Sequence, residues 1–159
     1  MDKKTEKILL GAGCFWGVEE AFRQIKGVTS HLVGYSGGEF DNPTYHDVCT
    51  GETGHAEVVE VVFDPSEVSL EELLSVFWQC HNPTTLNRQG PDIGTQYRSA
   101  IFYFDDEQKE IAEKSKAERE QAANYSSPIV TEITKATKFY EAEEYHQMYL
   151  SKRGIGNCH

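Results

Sequence analysis

Short apolar runs and helical stripes succeed one another along the chain, separated by glycine, proline or paired acidic residues. The first run, Ile8-Leu9-Leu10, ends at Gly11-Ala12-Gly13 and predicts a short buried strand over 7–12. Over 14–25, Phe15, Val18, Phe22 and Ile25 recur at helical spacing until Gly27, which predicts an amphipathic helix. Residues 28–35 alternate loosely and stop at Ser36-Gly37-Gly38, a strand and a turn. A polar stretch over 39–54, with Asn42-Pro43 and Gly51, has no apolar period and reads as a long loop of the kind that often carries function. The β-branched segment 56–63 holds Val58, Val59, Val61 and Val62 and ends at Asp64-Pro65, a further strand. Ser69-Leu70-Glu71-Glu72 has capping-box spacing ahead of the stripe Leu70, Leu73, Leu74 and Phe77, a second helix. After a polar loop over 82–95 come a strand over 97–104, a charged helix over 107–123, a strand over 128–134 and a helix over 141–152.

The leading order, strand-helix-strand-strand-helix-strand, matches the split βαβ of ferredoxin-like sandwiches. The expected fold is therefore α+β: a two-layer sandwich with a mainly antiparallel sheet, helices against it and a C-terminal extension. The 159 residues suit one domain spanning 1–159. The tail Gly154-Ile155-Gly156-Asn157-Cys158-His159, within 153–159, is glycine-rich and expected to be mobile.

Composition narrows the partners. With 38% hydrophobic and 26% charged residues the chain is ordinary for a globular domain. A formal net charge of -11 works against phosphate backbones and anionic lipid, so neither nucleic acid nor a membrane surface is expected. No apolar run follows the basic residues of the first seven positions, and none has the length of a membrane span. A cytoplasmic location is expected. The four cysteines, Cys14, Cys49, Cys80 and Cys158, form no Cys-x-x-Cys pair, which points to catalytic or buried thiols rather than a disulfide framework.

Cys14 follows a strand and two glycines and opens a helix, where unpaired N–H groups and the helix dipole favour a thiolate. Position alone leaves two readings open, a nucleophile and a buried structural cysteine. Phe15 and Trp16 are adjacent on a helix, so both cannot join one core face. An aromatic beside a nucleophile makes an apolar slot for a substrate group, although Phe15 also fits the core stripe. Gly11-x-Gly13-x-x-x-Gly17 is close to a dinucleotide fingerprint, but bulky Phe15 and Trp16 fill the pyrophosphate's place and no acidic residue ends the next strand. In Thr53-Gly54-His55-Ala56-Glu57 a carboxyl precedes a run of valines, surroundings that raise a carboxyl pKa and suit a proton donor; an exposed strand-edge glutamate is the alternative. The stretch from Asn87 to Ser99 is dense in glycine and polar groups, as a shaped polar pocket requires.

Gly13-Cys14-Phe15-Trp16-Gly17, Gly34-Tyr35-Ser36-Gly37-Gly38, Thr53-Gly54-His55-Ala56-Glu57 and Asn87-Arg88-Gln89-Gly90 through Gly94-Thr95-Gln96-Tyr97-Arg98-Ser99 together closely resemble the peptide methionine sulfoxide reductase A family, in order over about 7–150. The resemblance implies reduction of the S epimer of methionine sulfoxide, free or in proteins and peptides. It implies Cys14 as nucleophile, Phe15 and Trp16 around the substrate methyl group, and Glu57 as proton donor assisted by Tyr45 and Tyr97. Asp92 falls on an acidic pocket position, and the tail offers Cys158 as the resolving thiol for a Cys14–Cys158 disulfide that thioredoxin reduces. No metal or organic cofactor is implied, and a monomer is expected. The chain departs from the family at His81-Asn82-Pro83-Thr84, where aspartate is more usual than Asn82. Two rival classes remain: a Cys-His hydrolase drawing on His31, His46, His55, His81, His146 or His159, and a metal module built on Cys80-His81 and Cys158-His159.

Overall fold

A computed structural model describes residues 5–122 and 125–147. Strand β1 (Glu6–Ala12) leads into α1 (Phe15–Arg23) and β2 (Val28–Ser36); a short α2 (Tyr45–Cys49) precedes β3 (Ala56–Phe63) and α3 (Leu70–Gln79). A small hairpin of β4 (Arg88–Gln89) and β5 (Asp92–Ile93) and a 3-10 turn (Thr95–Tyr97) run into β6 (Ser99–Tyr103). The chain continues through α4 (Asp106–Ala122), β7 (Glu132–Lys135), β8 (Tyr140–Glu141) and a 3-10 turn (Glu144–His146). One six-stranded sheet has the order β7-β6-β1-β3-β2-β8, antiparallel except where β7 joins β6 in parallel. The class is mixed α+β.

Strand parity sets the two faces. Ile8, Leu10 and Ala12 of β1, Val33 and Tyr35 of β2, Val59, Val61 and Phe63 of β3 and Ile101 of β6 join Val18, Phe22, Leu73, Leu74 and Phe77 of the helices in one core. Leu9, Ala56, Val58, Ala100 and Phe102 point the other way, and Ala136 and Phe139 pack over them. Because β1 and β3 are buried on both faces, their sequences read as continuous apolar runs rather than as alternation. Fully buried side chains such as Phe22, Leu73 and Leu74 each contribute about 1.5–3 kcal/mol, so α1 and α3 are held by packing more than by helix propensity. Ser69 caps α3 through a reciprocal box with Glu72, as its spacing predicts.

Five expectations change. The strand expected over 128–134 is confined to Glu132–Lys135, and the polar loop over 82–95 holds the β4–β5 hairpin. The loop over 39–54 contains α2, whose five residues are too few for an apolar period and which is started by a Thr44–Asp47 capping box. Tyr97 lies on the 3-10 turn rather than in the strand, which begins at Ser99. Residues 141–147 form no α-helix, and 148–152 lie outside the described residues. Here the edge of β2 takes the backbone: the Ala142 amide donates to the Val33 carbonyl at 2.9 Å. The Gln147 side chain both accepts from the Val33 amide and donates to the Val33 carbonyl, at 3.0 Å each. Tertiary hydrogen bonds thus replace the intrahelical ladder. The tail 153–159, with Cys158, also lies outside the described residues.

Candidate active site

The strand-to-helix turn at the end of β1 positions the candidate nucleophile. Gly13 adopts φ +95°, a conformation that costs a glycine little, and Cys14 follows as the N-cap of α1. The helix amides that start here face β3. The Phe15 amide donates to Glu57 Oε1 at 3.3 Å, so the carboxyl sits against the same helix terminus that Cys14 caps. Glu57 lies opposite Tyr35 in the β2–β3 register, two residues before Val59, and its parity turns it to the helix side. At 1% exposure it is a buried carboxyl, not an exposed strand-edge one.

Two tyrosines complete the polar wall. Tyr45 opens α2, and its amide donates to Glu143 Oε2 at 3.0 Å; the other oxygen of Glu143 accepts the Tyr35 hydroxyl, also at 3.0 Å. Burial first, then the proximity of Cys49 and of Glu57, whose ionised forms would repel a phenolate, push the Tyr45 pKa well above its ordinary value. Tyr97 is delivered by the 3-10 turn, and burial followed by the charges of Glu57, Cys49, Asp92 and Cys14 raises its pKa as well. Both phenols therefore keep their protons at neutral pH and remain donors. The same influences show that Cys14, Glu57, Asp92 and both tyrosines, far apart in sequence, share one electrostatic neighbourhood.

Phe15 and Trp16 diverge as adjacent helical residues must. Phe15 is in the core at 1% exposure, whereas Trp16 is partly buried against it. Their ring centroids are 6.4 Å apart, and Phe15 stacks on Tyr45 at 6.4 Å and Trp16 on Tyr45 at 6.5 Å. The result is an aromatic corner beside Cys14. Asn82 fills the place where aspartate is more usual without changing the turn: its Oδ1 accepts from the Thr84 amide at 3.0 Å and the Thr84 hydroxyl at 2.6 Å, as a carboxylate would.

Three site residues lie outside the motifs of the sequence, His146 figuring there only among the histidines of the rival hydrolase class. Glu143 and His146 belong to the segment expected to be helical, and they reach the site only through contacts across roughly a hundred residues. Cys49 stands at i, i+4 from Tyr45 on α2, which puts the two side chains on one face of the helix, a relation that the sequence shows only once α2 is known. Cys49 is exposed, yet partial desolvation of its thiol on the side facing the site, followed by the proximity of Glu57 and Glu143, raises its pKa. Cys80 stands apart: its thiol donates to the Phe77 carbonyl at 3.3 Å, and burial pushes its pKa up to about 12. A thiol held protonated in this way is a poor redox partner. Cys80→Ser, which keeps a donor for Phe77, is expected to leave any turnover driven by a dithiol reductant near the wild-type rate. Steady-state assays would show otherwise if Cys80 took part in recycling. Among the described residues no three His, Cys, Asp or Glu side chains cluster to hold a metal, and no helix is long and apolar enough to cross a membrane.

Fold and site define a mixed α+β protein built around a helix-capping cysteine, a buried carboxyl and two protonated tyrosines. The family model described as peptide methionine sulfoxide reductase matches residues 6–159. A relative from Methanothermobacter thermautotrophicus, "Peptide methionine sulfoxide reductase MsrA", is 60% identical over 98% of this chain and 92% of its own. Reduced Mxr1 from Saccharomyces cerevisiae superposes with a TM-score of 0.91 at 40% identity, over 98% of this chain and 89% of that one. Mxr1 in complex with Trx2 gives a TM-score of 0.67 at 29% identity, over 94% and 87%. The chain belongs to the peptide methionine sulfoxide reductase family.

Proposed function

We propose that the chain reduces the S epimer of methionine sulfoxide, free or within proteins and peptides, to methionine, with Cys14 as nucleophile and Glu57 as acid. The observation that carries this is the Phe15 amide bond to Glu57 at 3.3 Å, which sets a buried carboxyl at the helix start capped by Cys14. A sulfoxide sulfur is a poor electrophile until its oxygen is protonated or held by strong donors. A protonated Glu57, favoured by the exclusion of water, gives that oxygen a proton while the Tyr45 and Tyr97 hydroxyls hydrogen-bond to it. The Phe15 and Trp16 rings shelter the methyl group, and Asp92 lines the polar side. The Cys14 thiolate attacks sulfur, the oxygen passes to Cys14, and methionine leaves with a sulfenic acid on the enzyme. Cys158 then condenses with that sulfenic acid, releasing water and forming a Cys14–Cys158 disulfide. A thioredoxin dithiol reduces it and is itself oxidised. The complex of Mxr1 with Trx2 supports that partner. No step needs a metal, flavin or nicotinamide.

The order β6-β1-β3-β2, with α1 and α3 as its two crossover helices, supports a ferredoxin-like split βαβ core for the sheet. We take the chain to act as a single cytoplasmic domain over 1–159, as a monomer. Incubation with each sulfoxide epimer and dithiothreitol tests the activity: methionine should form from the S epimer alone, and equal yields from both would refute the assignment. Cys158→Ser tests the cycle. It should release about one methionine per enzyme, because sulfenic acid formation needs only Cys14, and then stall with thioredoxin. Dithiothreitol should partly rescue it. Full thioredoxin-driven turnover in a burst assay, with mass analysis of the trapped enzyme, would exclude Cys158 as the resolving thiol.

A further inference from the structure

His146 lies beneath the aromatic corner. It is 1% exposed, and its ring centroid is 4.5 Å from that of Tyr45, 5.3 Å from Phe15, 5.6 Å from Trp16 and 4.1 Å from Tyr145. The Trp16 Nε1–H donates to His146 Nδ1 at 3.1 Å across 130 residues of sequence. We infer that His146 is a positioning residue that fixes the indole of Trp16 in the substrate slot by accepting its N–H.

The chemistry allows one arrangement. An indole nitrogen only donates, so Nδ1 must be the acceptor and the imidazole must be neutral, with its proton on Nε2. Burial lowers the His146 pKa, against the opposing charge of Glu143, and so favours that neutral form. His146 Nε2 is buried, and among the described residues the ring's hydrogen bond is the one Nδ1 accepts from Trp16. The segment cannot easily follow a moving indole. The His146 amide donates to the Glu143 carbonyl at 2.9 Å, Glu143 is bonded to Tyr35 and Tyr45, and Gln147 clamps Val33. Trp16 is therefore held from the C-terminal segment while its backbone belongs to α1. Adjacent Phe15 needs no such support, because the core surrounds it. A slot with one wall on a half-buried ring requires a fixed rotamer to discriminate a methyl group from bulk solvent.

This inference rests on Trp16 being a wall of the methyl slot, and the tests separate the two claims. The chain has two tryptophans, and Trp78 donates to Ser115 Oγ at 2.8 Å, which makes its indole N–H signal an internal reference in 15N-labelled protein. In the wild type, a coupling across the hydrogen bond between Trp16 Nε1 and His146 Nδ1 is expected. Its absence, with the proton found on Nδ1, would overturn the inference without any variant. His146→Phe keeps a ring and loses the acceptor. It should move the Trp16 signal but not the Trp78 signal, and raise KM for the S sulfoxide roughly tenfold, as loss of one hydrogen bond implies. The single-turnover rate at saturation should change far less. His146→Asn places an oxygen near the former Nδ1 and should recover most of the KM. A purely structural histidine would instead lower stability and kcat together, with no recovery in His146→Asn, and that pattern also overturns the inference. If Trp16→Phe leaves KM unchanged, the slot assignment fails on its own evidence. If Trp16→Phe raises KM while His146→Phe does not, the slot stands and the positioning role falls.

Discussion

Cys14→Ser is expected to abolish sulfoxide reduction in a single turnover as well as in cycling. A serine at the N-cap of α1 would satisfy the helix start at least as well as cysteine, so the variant should fold normally. The chemistry separates the two residues. Thiolate is accessible near neutral pH and is a strong nucleophile, whereas a serine hydroxyl has no neighbouring base to activate it in the proposed mechanism. Serine also has no counterpart to the sulfenic acid that stores the transferred oxygen. Removing a covalent nucleophile costs on the order of 10⁴–10⁶-fold. Mixing the variant with substrate at enzyme excess and quantifying methionine measures this without any recycling step. Methionine at the wild-type rate would end the assignment of Cys14.

Glu57→Gln should slow reduction by about 10²–10⁴-fold, the range that general acid catalysis supplies. The change is nearly isosteric in a buried site, and the amide oxygen of glutamine can still accept the Phe15 amide that Glu57 Oε1 accepts at 3.3 Å. Folding and substrate affinity should therefore change little. A glutamine hydrogen-bonds to the sulfoxide oxygen but cannot give it a proton, so the loss should fall on the chemical step. The Tyr45 and Tyr97 hydroxyls cannot replace the acid, because their raised pKa values make them donors that do not release their protons. If hydronium substitutes, the variant should recover toward the wild type as pH falls, with the wild-type rate at each pH as the reference. Single-turnover rates against pH give both quantities. A near wild-type rate at neutral pH would remove Glu57 from the role of acid.

What the chain discloses locally is what its own neighbours determine. The run at Ile8-Leu9-Leu10, the Val58–Val62 segment and the stripe from Leu70 to Phe77 become elements close to their expected bounds, since each carries its period and its stop signals within a dozen residues. Cys14 at a strand-to-helix turn and Glu57 at the head of β3 were legible for the same reason. The divergence of Phe15 into the core and Trp16 toward its edge likewise follows from helix geometry alone. The burial of Glu57 was not legible: a glutamate before a run of valines is buried or exposed according to which strand and helix pack over it. Helix α2 escaped because five residues give a capping box but no period. Residues 140–147 escaped more completely. Their polar and aromatic pattern suits a helix, and only the open edge of β2, with Val33 bonded to Ala142 and Gln147, pulls them out of one. That edge exists only after the sheet has assembled, and with it Glu143 reaches Tyr35 and Tyr45 and His146 reaches Trp16. Periodicity and capping are short-range and are written in the sequence; pairing across about a hundred residues depends on which partners the folded sheet leaves unsatisfied, and the tertiary structure alone decides that.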